Sequence, residues 1–406
     1  MNKTATAPTR TDWRSAAILI AAGVVVCCLI GKVPPSLPDL RADIATSLRE
    51  AGWYVSLLNL MTALSGMVFA LTADRAGHRR LIVGGLVVGA AASVAGALSS
   101  SFAALLVCRA LEGIGFLCVA VSVPPLLLRL AAPSDTRAMM AVWGAYLPAG
   151  AGLMALGSAF LLPWLGWRGV WGLAAAALLA MAAIVWGSDA GARNDTPSGV
   201  RSLRSEVAET VSAPGPLLIA LCFAGYSASW FSLIGFLSTL QVEKLGFSVA
   251  SAAAVTAGVI LVNVVGSLVA GKLLKSGWSR FAVIGSTAAV MATTAVFVFA
   301  DILPPVGRLA MAFVFSTAAS AIPGALFAAI PVHAPRPSLA GATNGLLMQG
   351  SNLGILIGPP TVAVLVSAGG WSMAPWFTTP ALALSALAGW LLQRREDARP
   401  PVREPG

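Results

Sequence analysis

The sequence predicts an all-α integral membrane protein whose twelve transmembrane helices form two six-helix bundles. Three observations lead there. Of the 406 residues, 57% are hydrophobic and only 10% charged, and the mean hydropathy is +0.84. A soluble domain carries about 25% charged residues, so a chain this apolar cannot cover itself with a water-facing surface. The apolar residues fall into twelve stretches of about the 20 residues that a bilayer core requires. A polar segment, residues 188–215, separates six of these stretches from the other six.

Taken in order, a polar tail, 1–14, precedes the first span, 15–38, which passes through Lys32-Val33-Pro34-Pro35. No small-residue cleavage site follows, so this reads as an uncleaved helix rather than a signal peptide. The second span, 50–72, ends in a basic turn, and the third, 81–100, begins directly after it. The fourth, 104–128, carries two charges, Arg109 and Glu112. The fifth, 138–162, holds Trp143, Tyr146 and Pro148, and the sixth, 168–187, closes the first bundle (15–187). After the linker, 188–215, the second bundle (216–393) contains spans at 216–240, 247–271, 280–300, 309–332, 340–366 and 376–393, followed by a tail, 394–406. The alternating pattern of barrel strands is absent, so helices must satisfy the backbone in lipid. Gly and Pro inside several spans suit membrane helices better than soluble ones.

The formal charge of +10 follows the same topology. With the N-terminus in the cytoplasm, five of the 26 Lys and Arg lie outside (Arg41, Arg49, Arg168, Lys244, Arg308) and two lie within spans (Lys32, Arg109). The other 19 lie in cytoplasmic tails and loops. That is the positive-inside asymmetry of a membrane protein, and it accounts for the basic balance without nucleic acid. The five cysteines, Cys27, Cys28, Cys108, Cys118 and Cys222, all fall in spans without metal-ligand spacing and read as small packing residues.

The turn Ala73-Asp74-Arg75-Ala76-Gly77-His78-Arg79-Arg80 is the most specific motif. It resembles the loop between the second and third helices of the major facilitator superfamily, in which Gly, three residues, Asp-Arg, one residue and Gly precede two or three basic residues. Asp74, Arg75, Gly77, Arg79 and Arg80 match; Ala70 replaces the family's Gly and His78 a basic residue. The resemblance implies two pseudo-symmetric bundles and a cytoplasmic gate formed by these residues, with Asp74 facing the start of the eleventh helix, where a helix dipole favours a carboxylate. Read from the residues alone, the turn also suffices as a topogenic anchor. A second copy lies 200 residues on, where Gly66, Ala70, Gly77 and Arg80 recur as Gly266, Ala270, Gly277 and Arg280. Arg75 recurs as Lys275, and Leu274 stands in place of Asp74. Such weak internal symmetry is what duplication leaves in transporters.

Charges at membrane depth are costly and mark function or pairing. Arg109 and Glu112 are three apart, hence on one helix face. They pair structurally, or Arg109 meets an anionic substrate, or Glu112 carries a coupling proton. Lys32 lies about 25 Å from the cytoplasmic end of the first span and Arg109 on the order of 10 Å from the outer end of the fourth. The two cations therefore share the outer half of the membrane, where they either make a central cavity electropositive or, for Lys32, snorkel. Arg109-Ala-Leu-Glu112-Gly113-Ile-Gly115 resembles a second motif of the superfamily. In that family the first, fourth, seventh and tenth helices line the cavity. The remaining candidates for substrate contact are Asn59, Trp143, Tyr146, Tyr226, Trp230, Gln349 and Asn352, each also compatible with ordinary interhelical packing. Short pieces of the first half (Ser36–Asp43, Glu50–Trp53, Arg109–Phe116, Trp143–Pro148) are similar to the cyanate permease and nitroimidazole transporter branch, which implies a small polar or anionic solute and a bacterial inner membrane. That branch often has Arg-Pro midway along the first helix, and here Lys32 stands about six residues later.

The expected function is therefore secondary transport of a small polar or anionic solute by rocker-switch alternating access. Protons are the candidate coupling ion, and a proton-coupled multidrug exporter of the same fold is the alternative. An enzyme is not expected: only His78 and His333 occur, no zinc spacing or nucleophile elbow is present, and no Gly-x-x-x-x-Gly-Lys-Ser/Thr loop would serve ATP. No cofactor and no metal are called for, both termini are expected in the cytoplasm, and nothing requires a dimer. If Asp74 latches the gate, Asp74→Asn slows transport but leaves ligand-induced thermal stabilisation near wild type. Loss of binding with turnover intact would overturn the latch.

Overall fold

The structure, a computed structural model, describes residues 10–64, 77–132, 135, 139, 142–143, 145–190, 203–336 and 339–398, the side chains of 203–204 and 264–275 excepted. Asp74 and Arg75, the core of the basic turn, lie outside the described residues. Helices fall on each of the twelve expected spans, and among the described residues there is no strand. Among the described residues, eight helical stretches are long and apolar enough to cross a membrane. One of them, Tyr146–Gly187, is two spans in one. A straight 42-residue helix would run about 63 Å, twice the bilayer core. The chain breaks at Gly166, whose φ of 61° and ψ of −179° are not helical. That is the boundary expected between the fifth and sixth spans.

The first span is longer and more broken than its periodicity suggests. It comprises Trp13–Val26, Cys28–Gly31 and Val33–Ile44, ending six residues past the expected limit. Pro34 and Pro35 supply no backbone N–H, so a regular ladder cannot run through Lys32, which caps the end of one segment and the start of the next. The second span starts with a capping box: Ser47 Oγ accepts from Glu50 N at 3.2 Å and Glu50 Oε2 accepts from Ser47 N at 2.7 Å. Ser101 and Ser279 cap the fourth and ninth spans with the serine half of that arrangement alone, accepting from Ala104 N and Ala282 N.

The chain forms two compact units. The first contains Met1–Val200 with Ile234–Leu261, and the second contains Arg201–Leu233 with Val262–Gly406. The division near residue 200 lies within the polar linker. In the first unit, Gly31 permits a close crossing, because a Cβ there would sit 2.2 Å from Ala151 O. At the end away from the basic loops, Arg168 binds Asp43 Oδ2 at 3.0 Å and the carbonyls of Ala97 and Ser99 at 2.7 and 2.8 Å, and Trp167 Nε1 donates to Asp43 at 2.9 Å. These contacts join the ends of the first and third spans to the start of the sixth.

In the second unit the eleventh span, Ala340–Gly369, presents Gly350, Gly354 and Gly358 to the seventh, Pro214–Leu245. A Cβ at these positions would lie 2.3, 2.1 and 2.4 Å from the carbonyls of Ala220, Ala224 and Ala228. This is the small-xxx-small contact of membrane helices, in which association depends on close backbone approach because lipid gives apolar side chains no reason to prefer each other. Arg308 caps the ninth span by donating to Val298 O at 2.8 Å and Phe299 O at 3.2 Å while pairing with Asp301 at 2.7 Å. Exposed tryptophans mark both ends of each unit: Trp13 and Trp186 against Trp53 and Trp164 in the first, Trp278 against Trp376 in the second. They are the aromatic anchors of interfacial membrane regions.

Gly354→Leu tests the ridge. Its side chain would have to enter the backbone of the seventh span, so we expect a loss of about 1–3 kcal/mol or failure to fold, seen as a lowered unfolding temperature in detergent. Gly341→Leu, on the same helix in open space, should melt near wild type. Equal melting of the two variants would show that the ridge is not a tight contact.

Candidate functional site

Two buried cations of the first unit meet at one buried carboxylate. Lys32, Arg109 and Glu112 are 0%, 2% and 1% exposed. Lys32 Nζ pairs with Glu112 Oε1 and also donates to Ser93 Oγ at 2.7 Å; Ser93 Oγ in turn donates to the same Oε1 at 2.7 Å. The other carboxylate oxygen accepts from Arg109 Nη1 at 2.8 Å. Arg109 further donates to Leu29 O, at the broken part of the first span, and from Nε to Tyr54 O at 3.1 Å. Aromatic faces complete the surround, with Lys32 Nζ 4.5 Å from the Trp171 ring centre and the Arg109 guanidinium 5.4 Å from that of Tyr54. The cluster thus gathers the first, second, third, fourth and sixth spans.

Two features of this arrangement differ from the cavity expected of the sequence. Lys32 and Arg109 do not line an open space: both are enclosed, and both are bound to Glu112. The pairing of Arg109 with Glu112 at spacing three is present, and the snorkelling reading of Lys32 does not fit a fully buried ammonium. The cluster holds two cations and one anion. Removing such charges from water costs several kcal/mol each unless geometry and hydrogen bonds offset it, and here every carboxylate oxygen has a cation. Ser93, Trp171 and Tyr54 were not legible as partners. Ser93 sits in an Ala- and Gly-rich run that reads as packing, and only the fold turns it to the acid.

The other candidates form separate groups. Asn59 is buried where the second span makes a turn at residues 58–59. Trp143 and Tyr146 stack, with ring centres 4.0 Å apart and planes 7° apart, over Gly23, where a Cβ would lie 2.4 Å from the Trp143 ring. In the second unit Tyr226 is buried, its ring stacked on that of Phe223 with centres 5.5 Å apart. Asn263 Nδ2 donates to Ser316 O at 2.9 Å, and Trp230 Nε1 to Ser316 Oγ at 3.4 Å. Asn263 and Ser316 are additions to the expected set. An amide inside Leu261-Val262-Asn263-Val264 was the available signal. Asn352 Nδ2 turns back to Met348 O at 2.7 Å, and Gln349 is half-buried one turn before it.

Of the basic turn, Gly77, Arg79 and Arg80 are described. Gly77 has φ 86° and opens the third span; its repeat partner Gly277 has φ 89° and precedes the ninth. The same backbone requirement is therefore met in both copies, by the residue that has no Cβ penalty there. Arg79 binds the carbonyls of Val185, at 3.4 Å, and Trp186 at the end of the sixth span, where a cation complements the helix dipole. Arg80 is exposed. Its counterpart Arg280 binds Glu396 Oε1 and Ala325 O, each at 2.7 Å, and His333 Nε2 lies 2.8 Å from the same Glu396 oxygen. Glu396 lies past the apolar part of the last span. Burial pushes its carboxyl up, but hydrogen bonds from His333 and Arg280 outweigh that and hold it below the ordinary value.

Comparison with known proteins agrees with this architecture. A family model described as Major Facilitator Superfamily matches residues 18–354. A chloramphenicol resistance protein of Streptomyces lividans is 28% identical over 279 residues, 63% of this chain and 69% of that protein. The cephamycin export protein CmcT of Amycolatopsis lactamdurans is 34% identical over 137 residues, 33% of this chain and 28% of that protein. The inner membrane transport protein YajR of Escherichia coli is 43% identical over 70 residues, 17% and 15% of the two chains. Among solved structures, a bacterial homologue of the human lysosomal transporter Spinster, in its inward-facing and unoccupied form, superposes with a TM-score of 0.78 over 96% of this chain and 98% of that one. Sequence identity is 18%, a likeness of fold alone.

The cluster makes a stability prediction. Glu112→Gln leaves two buried cations with no anion and should cost about 3–5 kcal/mol. Adding Lys32→Met removes one of them, so the double variant should melt higher than Glu112→Gln alone. If the double variant melts lower, the two cations do not depend on Glu112.

Proposed function

We propose that this chain, which belongs to the Major Facilitator Superfamily, is an efflux transporter that couples export of a small organic solute to protons through Glu112. It is a multi-pass membrane transporter; its direction, substrate and coupling ion are what is proposed here. The observation that carries the reading is the enclosed Lys32–Glu112–Arg109 cluster. A proton on Glu112 would neutralise the only anion in the cluster and leave two cations facing each other in a low-dielectric interior. Protonation must therefore accompany a rearrangement that brings Lys32 or Arg109 to water or to another partner. A conformational equilibrium that is biased by one proton is what coupled exchange requires. Two of the relatives are named for chloramphenicol resistance and cephamycin export, which supports outward movement of an organic compound over uptake.

In this reading the substrate meets the aromatic and amide side chains rather than the cations. Trp143 and Tyr146 offer a stacked face from the first unit, and Tyr226, Trp230 and Asn263 a hydrogen-bonding face from the second, with Gln349, Asn352 and Asn59 as further polar contacts. The two six-helix bundles, 15–187 and 216–393, are taken to rock about the substrate, with residues 188–215 joining them. Asp74, Arg75, Gly77, Arg79 and Arg80 hold the gate, both termini lie in the cytoplasm of a bacterial cell, and one chain is the working unit. A second reading keeps the small polar or anionic solute of the cyanate permease and nitroimidazole transporter branch. The excess positive charge of the cluster favours it, since an anion reaching Lys32 or Arg109 would complete the charge balance.

Reconstituted protein separates these. In proteoliposomes with an imposed pH gradient, chloramphenicol and a panel of organic anions are offered in turn. The Lys32→Met/Glu112→Gln variant, which retains Arg109, should lose gradient-driven accumulation by tenfold or more, about 1.4 kcal/mol in the driving step, while keeping solute exchange at equal pH. Accumulation by the variant at the wild-type level would remove Glu112 as the proton carrier. Transport confined to anions and abolished by Arg109→Gln would favour the second reading.

A further inference from the structure

The lipid-facing side of the second unit carries a groove between the ninth span, Arg280–Phe299, and the twelfth, Pro375–Asp397. It has a volume of ≈ 370 Å³ and is lined by Phe281, Ala386, Leu387 and Trp390. The small side chain of Ala386 leaves space that Phe281 and Trp390 border. A Cβ at Gly285 would lie 3.1 Å from the Phe281 ring, so this glycine lets the ring lie down along its own helix. The groove is apolar and open to the surroundings, which suits part of a hydrocarbon chain.

Its rim is charged. The guanidinium of Arg394 lies 3.9 Å from the centre of the Trp390 ring, and Arg394 and Arg395 are both exposed. The nearby acids are engaged elsewhere, Glu396 by Arg280 and His333 and Asp397 by Gln393. Among the described residues neither Arg394 nor Arg395 pairs with a carboxylate. Stacking on Trp390 uses the face of the Arg394 guanidinium and leaves its N–H edge free, the geometry that binds a phosphate through two hydrogen bonds. Arg394 is one helical turn beyond Trp390, about 6 Å along the axis, so the cations stand at headgroup level when the groove lies beside the acyl chains.

We propose that this groove binds an anionic phospholipid, its acyl chain along Phe281, Ala386, Leu387 and Trp390 and its phosphate on Arg394 and Arg395. Charge complementarity decides the occupant. A zwitterionic lipid would bring its own cation to a rim that already carries two, and clusters of Arg at a membrane surface select anionic headgroups.

The test uses the full chain, delipidated in neutral detergent, with phosphatidylglycerol and phosphatidylcholine of identical acyl chains titrated and counted by native mass spectrometry. Wild type should bind one phosphatidylglycerol at least about tenfold more tightly than phosphatidylcholine. Arg394→Gln/Arg395→Gln should erase that preference, and Ala386→Phe should weaken both lipids by filling the groove. Soluble glycerol phosphate should not compete. All these changes lie on the surface, and unchanged melting before lipid addition verifies the fold. Equal affinity of wild type for the two lipids, a preference that survives loss of both arginines, or full competition by glycerol phosphate would each overturn the proposal.

Discussion

Glu112 is the residue on which the first unit depends. Two cations fixed inside a membrane protein require an anion between them, because burial costs each charge its hydration and only a close partner offsets that loss. Glu112 serves Lys32 with one oxygen and Arg109 with the other. The consequences spread through the backbone. Arg109 reaches Leu29 O, beside the prolines that break the first span, and Tyr54 O in the second. The cluster therefore fixes where these helices cross as well as neutralising charge. That a single acid carries both duties makes its protonation a structural event, which a pair remote from the helix crossings would not be.

Elsewhere the helices are held at their ends and at their closest approaches. Three arginines bind the last carbonyls of neighbouring helices: Arg168 at the third span, Arg79 at the sixth and Arg308 at the ninth. Each supplies donors to groups that an α-helix leaves unsatisfied and puts positive charge at the negative end of the dipole. Between the ends, small residues let backbones touch, most clearly at Gly350, Gly354 and Gly358. A bilayer offers no hydrophobic drive to pack one apolar helix on another, so this combination of contact and capping takes the place of a soluble core.

Much of this was legible in the chain. Composition and span length gave the fold class, and the repeat at an offset of 200 pointed to Gly77 and Gly277, whose matching backbone angles are a local requirement that sequence can carry. Breaks were harder. The boundary between the fifth and sixth spans was read where Gly166 breaks the helix, but the interruptions at Cys27 and Lys32 and the run on to Ile44 were not. Partnerships were hardest. Spacing on one helix put Arg109 beside Glu112, but nothing in the sequence could say that Lys32, 80 residues away, competes for the same carboxylate. That depends on how the first and fourth spans cross. Ser93, Asn263 and Ser316 were missed for the same reason: a small polar residue in an apolar span acquires meaning only from what faces it.

The charge count of the cluster also constrains what kind of solute could be moved. An open pair of cations attracts anions at a distance, whereas a pair already bound to a carboxylate presents only its residual charge. An anion entering such a site must compete with Glu112 for the same donors, and it succeeds only where its contacts exceed those of a preformed carboxylate with both oxygens engaged. A neutral or weakly polar compound faces no such competition, and in the proposed function the stacked rings of Trp143 and Tyr146 or the amide of Asn263 would hold it. Under the proposed function, the enclosed acid would therefore separate two tasks that an open cationic cavity would merge, binding the solute and responding to a proton.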